Sequence, residues 1–317
     1  MKILIAGGAG YIGSALTPKL LALGHEIDVL DLFWFGNHLP QETGIVHKDI
    51  FHVEESDMKG YEVVIFLAGL SNDPMAEFSP AKNFISNAAA PAYLAYVAKK
   101  SGVKKFIYAG SCSVYGFTVN ELFDEDSPTV SDYPYGISKL QGERAVMQLA
   151  GDGFSAITLR QGTVCGYSPR MRLDLVVNTM FKTSVAEKQI TVNNPEIWRP
   201  ILAIQDAVQA YTKAIQLDHE VSGIFNVASG NYTVGEIAGL VKAGLEPKIN
   251  AEISVHTKSI QDKRNYKVSV KRANDILGFE PAFNIETIVG ELYNNLEKFK
   301  DFENPNYYNI RIFKTLE

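Results

Sequence analysis

A phenol and an ammonium stand four residues apart in Tyr135-Gly-Ile-Ser-Lys139, a spacing that puts both on one face of a helix about one turn from each other. An unperturbed phenol titrates near pH ~10 and is a poor base at neutrality; a positive neighbour favours the phenolate and lowers that value. Tyr135 is therefore the candidate acceptor of an alcohol proton, with Lys139 as the group that tunes it. Tyr-x-x-x-Lys alone is a common coincidence on a helix. Here it has company: Lys104–Gly116 (KKFIYAGSCSVYG) reads as an apolar strand ending in small hydroxyl residues, 24 residues before Tyr135 when counted from Ser111. Ser111 can face the same cleft and hydrogen-bond an oxygen passing from alcohol to carbonyl.

Oxidation of an alcohol needs a hydride acceptor, and the start of the chain supplies a place for one. Lys2–Ala6 runs into Gly7, Gly8, Gly10 and Gly13, then into a helix with Ile12, Ala15, Leu16, Leu20 and Leu23 on one face and Gly24 as its stop. Glycine allows a tight turn and close approach of backbone to a pyrophosphate, and the helix N-terminus offers free N–H groups to the anion. The spacing is GxxGxxG rather than GxGxxG, so the order of strand, turn and helix carries more than the pattern. Asp31, 18 residues after Gly13 at the end of the second expected strand, can accept from both ribose hydroxyls and would repel a 2′-phosphate. Leu32, Phe33 and Trp34 supply no arginine to neutralise one, so the reading is NAD rather than NADP.

The elements around these residues alternate short apolar runs with helical patterns. Strands are expected near 2–6, 26–31, 44–48, 62–68, 104–110, 155–160 and 223–228, an α/β doubly wound parallel sheet with a smaller α/β cap. The expected division is 1–165 plus 201–228 for the dinucleotide domain and 166–200 plus 229–317 for the cap. Pro91 falls inside the helical run 83–100 and removes the N–H that would bond the Asn87 carbonyl, so a kink is expected there. The tail Asp301–Glu317 is aromatic and basic enough to pack on something, but it shows no sustained periodicity and is assigned no role. A net charge of −6 argues against nucleic acid as a partner. No long apolar run points to a membrane and the N-terminus reads as a strand rather than a leader. Cys112 and Cys165 have neither metal-ligand nor disulfide-framework spacing, so no metal is expected and the cytoplasm is the expected setting.

GGAGYIG at 7–13, FLAG at 66–69, GSCSVYG at 110–116, YGISK at 135–139 and WRPILAIQD at 198–206 together resemble the nucleotide-sugar epimerase/dehydratase family of extended short-chain dehydrogenases. That resemblance implies a Rossmann-type sheet, NAD as cofactor, and Tyr135, Lys139 and Ser111 as the catalytic set. For the cofactor it implies Gly7, Gly10, Tyr11, Ile12, Gly13, Asp31, Asp49, Ile50, Leu67, Ala68, Gly69 and Asn87, besides Tyr135 and Lys139. For a nucleotide-diphosphate sugar it implies Ser71, Ser111, Ser113, Thr163 and Asn178, with Arg199 and Arg264 on the pyrophosphate. The segment from Ser168 to Asn178 (SPRMRLDLVVN) carries two further cations, Arg170 and Arg172, and resembles a stretch lying over the sugar, with Asn178 as its stronger member. A homodimer through two helices of the first domain is implied likewise.

Departures from the family narrow the reaction. Where the resemblance implies an Asp-Glu pair for the 4,6-dehydratases, this chain has Cys112 and Ser113, so dehydration is not expected. Enzymes inverting C3 or C5 carry a cysteine two residues after the Ser111 position; Cys112 is one residue early and should turn away from the sugar. What remains is hydride removal at C4 through a 4-keto sugar. A 4-epimerase is placed first, then a C4 dehydrogenase or 4-keto reductase of a deoxyhexose or heptose. A non-catalytic NAD-sensing scaffold is the remaining alternative.

Overall fold

The computed structural model describes residues 1–259 and 264–317. Seven parallel strands form the main sheet, in the spatial order Gly223–Val227, Ser155–Gln161, Lys105–Ser111, Val63–Phe66, Lys2–Ala6, Glu26–Asp31 and Gly44–His47. The order reverses between Lys2–Ala6 and Val63–Phe66, which opens a crevice at the carboxyl ends of the strands where such sheets bind ligands. The strands are apolar because both faces are covered. Ile3, Ile5, Val29 and Ile107 point to the side carrying Leu16, Leu20 and the helix Ile204–Gln216. Leu4, Val64, Phe66, Phe106 and Tyr108 point to the side carrying Leu94, Ala95 and Ala98 of the helix Ala90–Lys100. Each such aliphatic side chain, buried, contributes about 1.5–3 kcal/mol.

The cap has its own core, in which Val177 and Phe181 of the helix Val176–Glu187 meet Ala238 and Val241 of Val234–Ile249 and Ile288 and Leu292 of Ile285–Asn294. Its small sheet takes Thr163–Cys165 in parallel with Trp198–Ala203, which pairs antiparallel with Gly230–Thr233. The chain thus leaves the main sheet after Gln161, builds part of the cap, and returns for Gly223–Val227. No helix among the described residues is long and apolar enough to cross a membrane.

Two devices fix the helix Pro134–Met147, which carries Tyr135 and Lys139. Glu143 accepts two bonds from the Arg160 guanidinium, from Nε at 2.8 Å and Nη2 at 2.6 Å. Arg160 also donates to the Tyr115 hydroxyl at 2.8 Å, which donates on to Asn226 at 2.7 Å. Nearly all of this network is buried, and its charges are stable there because the fork-to-carboxylate geometry uses most of their hydrogen-bonding groups. The second device grows from Pro91. The kink expected there is a wider π-type turn over Ile85–Ala89, and the Asn87 carbonyl that Pro91 cannot bond accepts from the Tyr108 hydroxyl at 3.1 Å.

Gly142 lets the catalytic helix approach that turn. A Cβ at this position would lie 2.2 Å from the Asn87 carbonyl oxygen and 2.7 Å from the Tyr108 hydroxyl, so Gly142→Ala should lose about 1–3 kcal/mol through overpacking. Gly239, inside a helix with nothing within 4 Å of its Cβ position, is the control, and Gly239→Ala should be neutral or stabilising by up to about 1 kcal/mol. Urea midpoints at unchanged m-value check both; equal midpoints for the two variants would contradict the packing account.

Candidate active site

The turn after the first strand is tight because three glycines bring backbone against backbone. Gly7 has φ +78°, and a Cβ on it would lie 2.4 Å from the Ala68 nitrogen; one on Gly13 would lie 2.3 Å from the Gly8 carbonyl oxygen. Gly10 differs: the only atom within 4 Å of its Cβ position is the Gly7 oxygen at 3.1 Å, so its bareness keeps open the space in front of the helix Tyr11–Ala22. That helix has no side-chain cap, which leaves first-turn N–H groups for an anion. Asp31 accepts from the N–H of Ala9 at 2.9 Å and of Phe33 at 2.8 Å, joining the turn to the end of the second strand. Burial pushes its carboxyl upward and these N–H donors pull it back.

Ser111 ends the strand Lys105–Ser111, and the Ser113 hydroxyl donates to its Oγ at 2.9 Å. The Tyr135 phenol is in hydrogen-bond contact with Ser111, yet burial outweighs that contact and pushes the phenol up to about 12. Lys139 donates to the Ala109 carbonyl at 3.0 Å and lies 6.0 Å from the centre of the Tyr135 ring. Burial lowers the ammonium to about 8. In the protein by itself, burial is the largest influence on both groups, and the expected tuning of the phenol by the ammonium is joined to the positive nicotinamide ring of the bound cofactor.

Ser111 and Tyr135, but not Lys139, line a cavity of about 1110 Å³ that also takes in the glycine turn. Of the expected site residues, Gly7, Gly10, Tyr11, Ile12, Asp31, Asp49, Ile50, Leu67, Ala68 and Gly69 line it, as do Ser71, Ser111, Ser113, Tyr135, Thr163, Arg199 and Arg264. Gly13, Asn87, Lys139 and Asn178 stand behind its wall. Asn87 donates to Leu70 O at 2.9 Å and to Asn83 Oδ1 at 2.8 Å, so it braces the turn before Pro91. Asn178, fully buried, accepts from Gly166 N at 3.0 Å and donates to Arg172 O at 2.8 Å and the Tyr11 hydroxyl at 3.2 Å. It ties the cap to the first helix. Cys112 is fully buried in the turn after the strand, its thiol donating to Arg160 O at 3.1 Å and raised well above the ordinary thiol value by burial.

The cap side is cationic. Arg199 donates to its own neighbour's carbonyl at Trp198 and to the Arg264 carbonyl, and Arg264 is ion-paired with Asp73 across the cavity. Arg170 and Arg172 also line the wall at 2% and 6% exposure, so within SPRMRLDLVVN the cations reach the cavity and the amide does not. Arg172 is held by Asp174 at 2.8 Å. Sequence reasoning also missed the C-terminal helix Asn309–Leu316, from which Asn309, Ile310 and Phe313 line the cavity. At eight residues it is too short to show a sustained period; the i, i+3 pair Ile310 and Phe313 is its only trace.

A sequence profile described as the NAD dependent epimerase/dehydratase family matches residues 3–228. The chain belongs to this family. A UDP-glucose 4-epimerase of Corynebacterium glutamicum is 25% identical over 314 residues, covering 92% of this chain and 95% of that one. UDP-glucuronic acid decarboxylase 2 of Arabidopsis thaliana is 24% identical over 307 residues, covering 90% of this chain and 66% of its own. The same fold occurs in a UDP-glucuronic acid 4-epimerase from Bacillus cereus, solved with UDP-glucuronic acid and NAD. It has a TM-score of 0.82 at 20% identity, covering 94% of this chain and 99% of that one. As a family member the chain is an NAD-dependent enzyme, and the uncapped helix, the open face of Gly10 and Asp31 fit that cofactor.

The lowered Lys139 value has a measurable consequence. Between pH about 8 and 10.5 the unfolded chain holds a proton on this residue that the folded chain has released, so its contribution to stability rises with pH across that window and is flat below it. The stability of the parent minus that of Lys139→Met should therefore climb by on the order of 2–3 kcal/mol from pH 8 to 10.5. Urea unfolding at a series of pH values measures it, and a flat difference would show that Lys139 keeps an ordinary pKa.

Proposed function

We propose that this enzyme inverts C4 of a nucleoside-diphosphate sugar through a 4-keto intermediate. The observation that carries the reading is a single cavity lined by Tyr135 and Ser111, by the glycine turn and Asp31, and by Arg199 and Arg264. Bound NAD would supply the hydride acceptor and, in its oxidised form before hydride transfer, a positive ring that opposes the effect of burial on the phenol. Tyr135 takes the proton from O4 as the C4–H bond gives up its hydride, and Ser111 holds the same oxygen while it becomes a carbonyl. Lys139, fixed on Ala109 O behind Tyr135, keeps a positive charge near the phenol. The keto sugar then turns and regains hydride on its other face, with Tyr135 returning the proton. Arg199 and Arg264 grip the diphosphate while the sugar moves.

The support for inversion at C4 over other outcomes is the poverty of further acid–base groups beside Ser111. Cys112 is buried away from the cavity, and Ser113 offers only a hydroxyl, so the residues at these two positions suit neither water elimination nor proton exchange at C3 or C5. The relatives with 4-epimerase names agree with that order of preference. The C4 dehydrogenase or 4-keto reductase reading uses the same groups and differs in whether the keto sugar leaves. A homodimer, as the sequence resemblance implies, in the cytoplasm, as the cysteine usage suggests, is part of the same reading.

Incubating UDP-, GDP-, CDP- and dTDP-hexoses with enzyme and NAD in deuterated water should give a C4 epimer with no deuterium on carbon and no net NADH. Net NADH in step with a keto product would transfer the assignment to the dehydrogenase. Tyr135→Phe should lower kcat by about 10²–10⁴, and an unaffected rate would remove Tyr135 from the chemistry. The pair Arg199→Ala and Arg264→Ala should weaken sugar-nucleotide binding at least tenfold in calorimetry while NAD affinity holds; undiminished sugar-nucleotide affinity would remove the diphosphate role.

A further inference from the structure

We propose that the C-terminal helix Asn309–Leu316 is part of the cofactor site, a strap across the path of the dinucleotide that keeps it in place between the two hydride transfers. Its purpose rests on the 4-epimerase reading; its geometry and its test do not. Asn309, Ile310 and Phe313 line the same cavity as Gly7, Gly10 and Asp31. Leu316 and Glu317 line that cavity as well, so contact runs along the whole length of the helix. Phe313, 1% exposed, stacks on Trp34 with ring centres 6.1 Å apart, and Trp34 is three residues beyond Asp31. On the other side the same ring meets the edge of Phe78 at 5.9 Å, the last residue of the helix Asp73–Phe78, and Leu70 and Met75 close the contact.

Polar anchors hold both ends. Asn309 donates from Nδ2 to the Ser71 hydroxyl at 2.6 Å and from its backbone N–H to Asp174 at 3.2 Å, and its Oδ1 accepts from Arg170. The last residue, Glu317, is ion-paired with Lys82. The strap therefore joins the dinucleotide half, through Ser71 and Lys82, to the cap, through Arg170 and Asp174.

Arg170 extends the argument to the phosphates. Its backbone N–H donates to the Ser14 hydroxyl at 3.2 Å, inside the helix that follows the glycine turn, and its guanidinium lies 3.6 Å over the Phe35 ring. Its Nε is buried without a hydrogen-bond partner among the described residues. A guanidinium with an unused N–H, on a cavity-lining residue whose backbone is tied to the first helix at Ser14, suits a phosphate oxygen. Because Trp34, Phe35, Ser14 and Ser71 all belong to the dinucleotide half, the strap covers the cofactor rather than the sugar. The nucleotide can then leave only after an aromatic plug and anchors at both ends have opened.

The experiment reads NAD release directly: protein loaded with labelled NAD is chased with unlabelled NAD, and bound label is followed by rapid filtration. Phe313→Ala, and a chain ending at Tyr308, should each release NAD at least tenfold faster than the parent, while Thr315→Ala on the exposed outer face of the helix stays within twofold. Release within twofold of the parent in both test variants, with cooperative unfolding retained, overturns the proposal. If either variant does not fold, hydrogen exchange on the parent decides. Amides of residues 310–316 should exchange at least tenfold more slowly with saturating NAD than without, and equal rates overturn it. A chain that releases NAD as expected yet makes no C4 epimer leaves the strap standing and removes the epimerase reading; a slow-opening strap that fails these tests leaves epimer formation untouched.

Discussion

Everything at the ligand-binding edge of this protein depends on backbone meeting backbone where side chains would forbid it. The first strand, the turn behind it and the end of the fourth strand converge at Gly7 and Ala68, and the first helix closes on the turn at Gly13 and Gly8. That convergence aims an uncapped helix end into the crevice and brings Asp31 within reach of Ala9. A second approach of the same kind, Gly142 against Asn87 and Tyr108, sets the height of the helix that bears Tyr135. The glycine turn and the helix that bears Tyr135 are thus positioned by missing side chains as well as by contacts such as the Glu143–Arg160 pair.

Burial is the larger electrostatic influence on the catalytic pair. It raises Tyr135 and lowers Lys139, moving the phenol and the ammonium toward their uncharged forms. A pocket of this kind works against a stray base and in favour of one that ionises when a positive ring is brought beside it. The buried Glu143–Arg160 pair shows the contrasting case, in which a charge is retained because its partner is fixed in fork geometry. Catalysis and structure therefore draw on the same low-dielectric interior with opposite outcomes, decided by whether a counter-ion is built in.

The parallel sheet was legible because its strands are apolar on both faces and each is bounded by turn residues; Lys2–Ala6 and Glu26–Asp31 fall where the pattern places them. That Tyr135, Ser111 and the glycine turn share one cavity follows from features encoded locally, in a helix spacing and in a glycine turn. The cap side was less legible. Asn178 and Arg170 lie in one short segment, and only the tertiary packing decides that the amide turns toward Tyr11 and the guanidinium toward the cavity. The carbonyl freed by Pro91 was predictable, but its partner, the hydroxyl of Tyr108 on a distant strand, was not. Phe313 had only the i, i+3 spacing from Ile310 as a local signal: two helical turns carry too little pattern, and its meaning comes from Trp34 and Phe78, which are remote in sequence.

The Asp73–Arg264 pair spans the cavity that an anionic substrate must enter. Any anion reaching Arg264 competes with a carboxylate already tethered beside it, and a tethered competitor has no concentration to dilute away. A group with one negative charge merely matches what it displaces, whereas one with two, and a planar set of oxygens for the guanidinium fork, exceeds it. Under the sugar-nucleotide reading the pair would act as a threshold on charge, discounting the many singly charged metabolites of a crowded solution and admitting those with a denser anionic head.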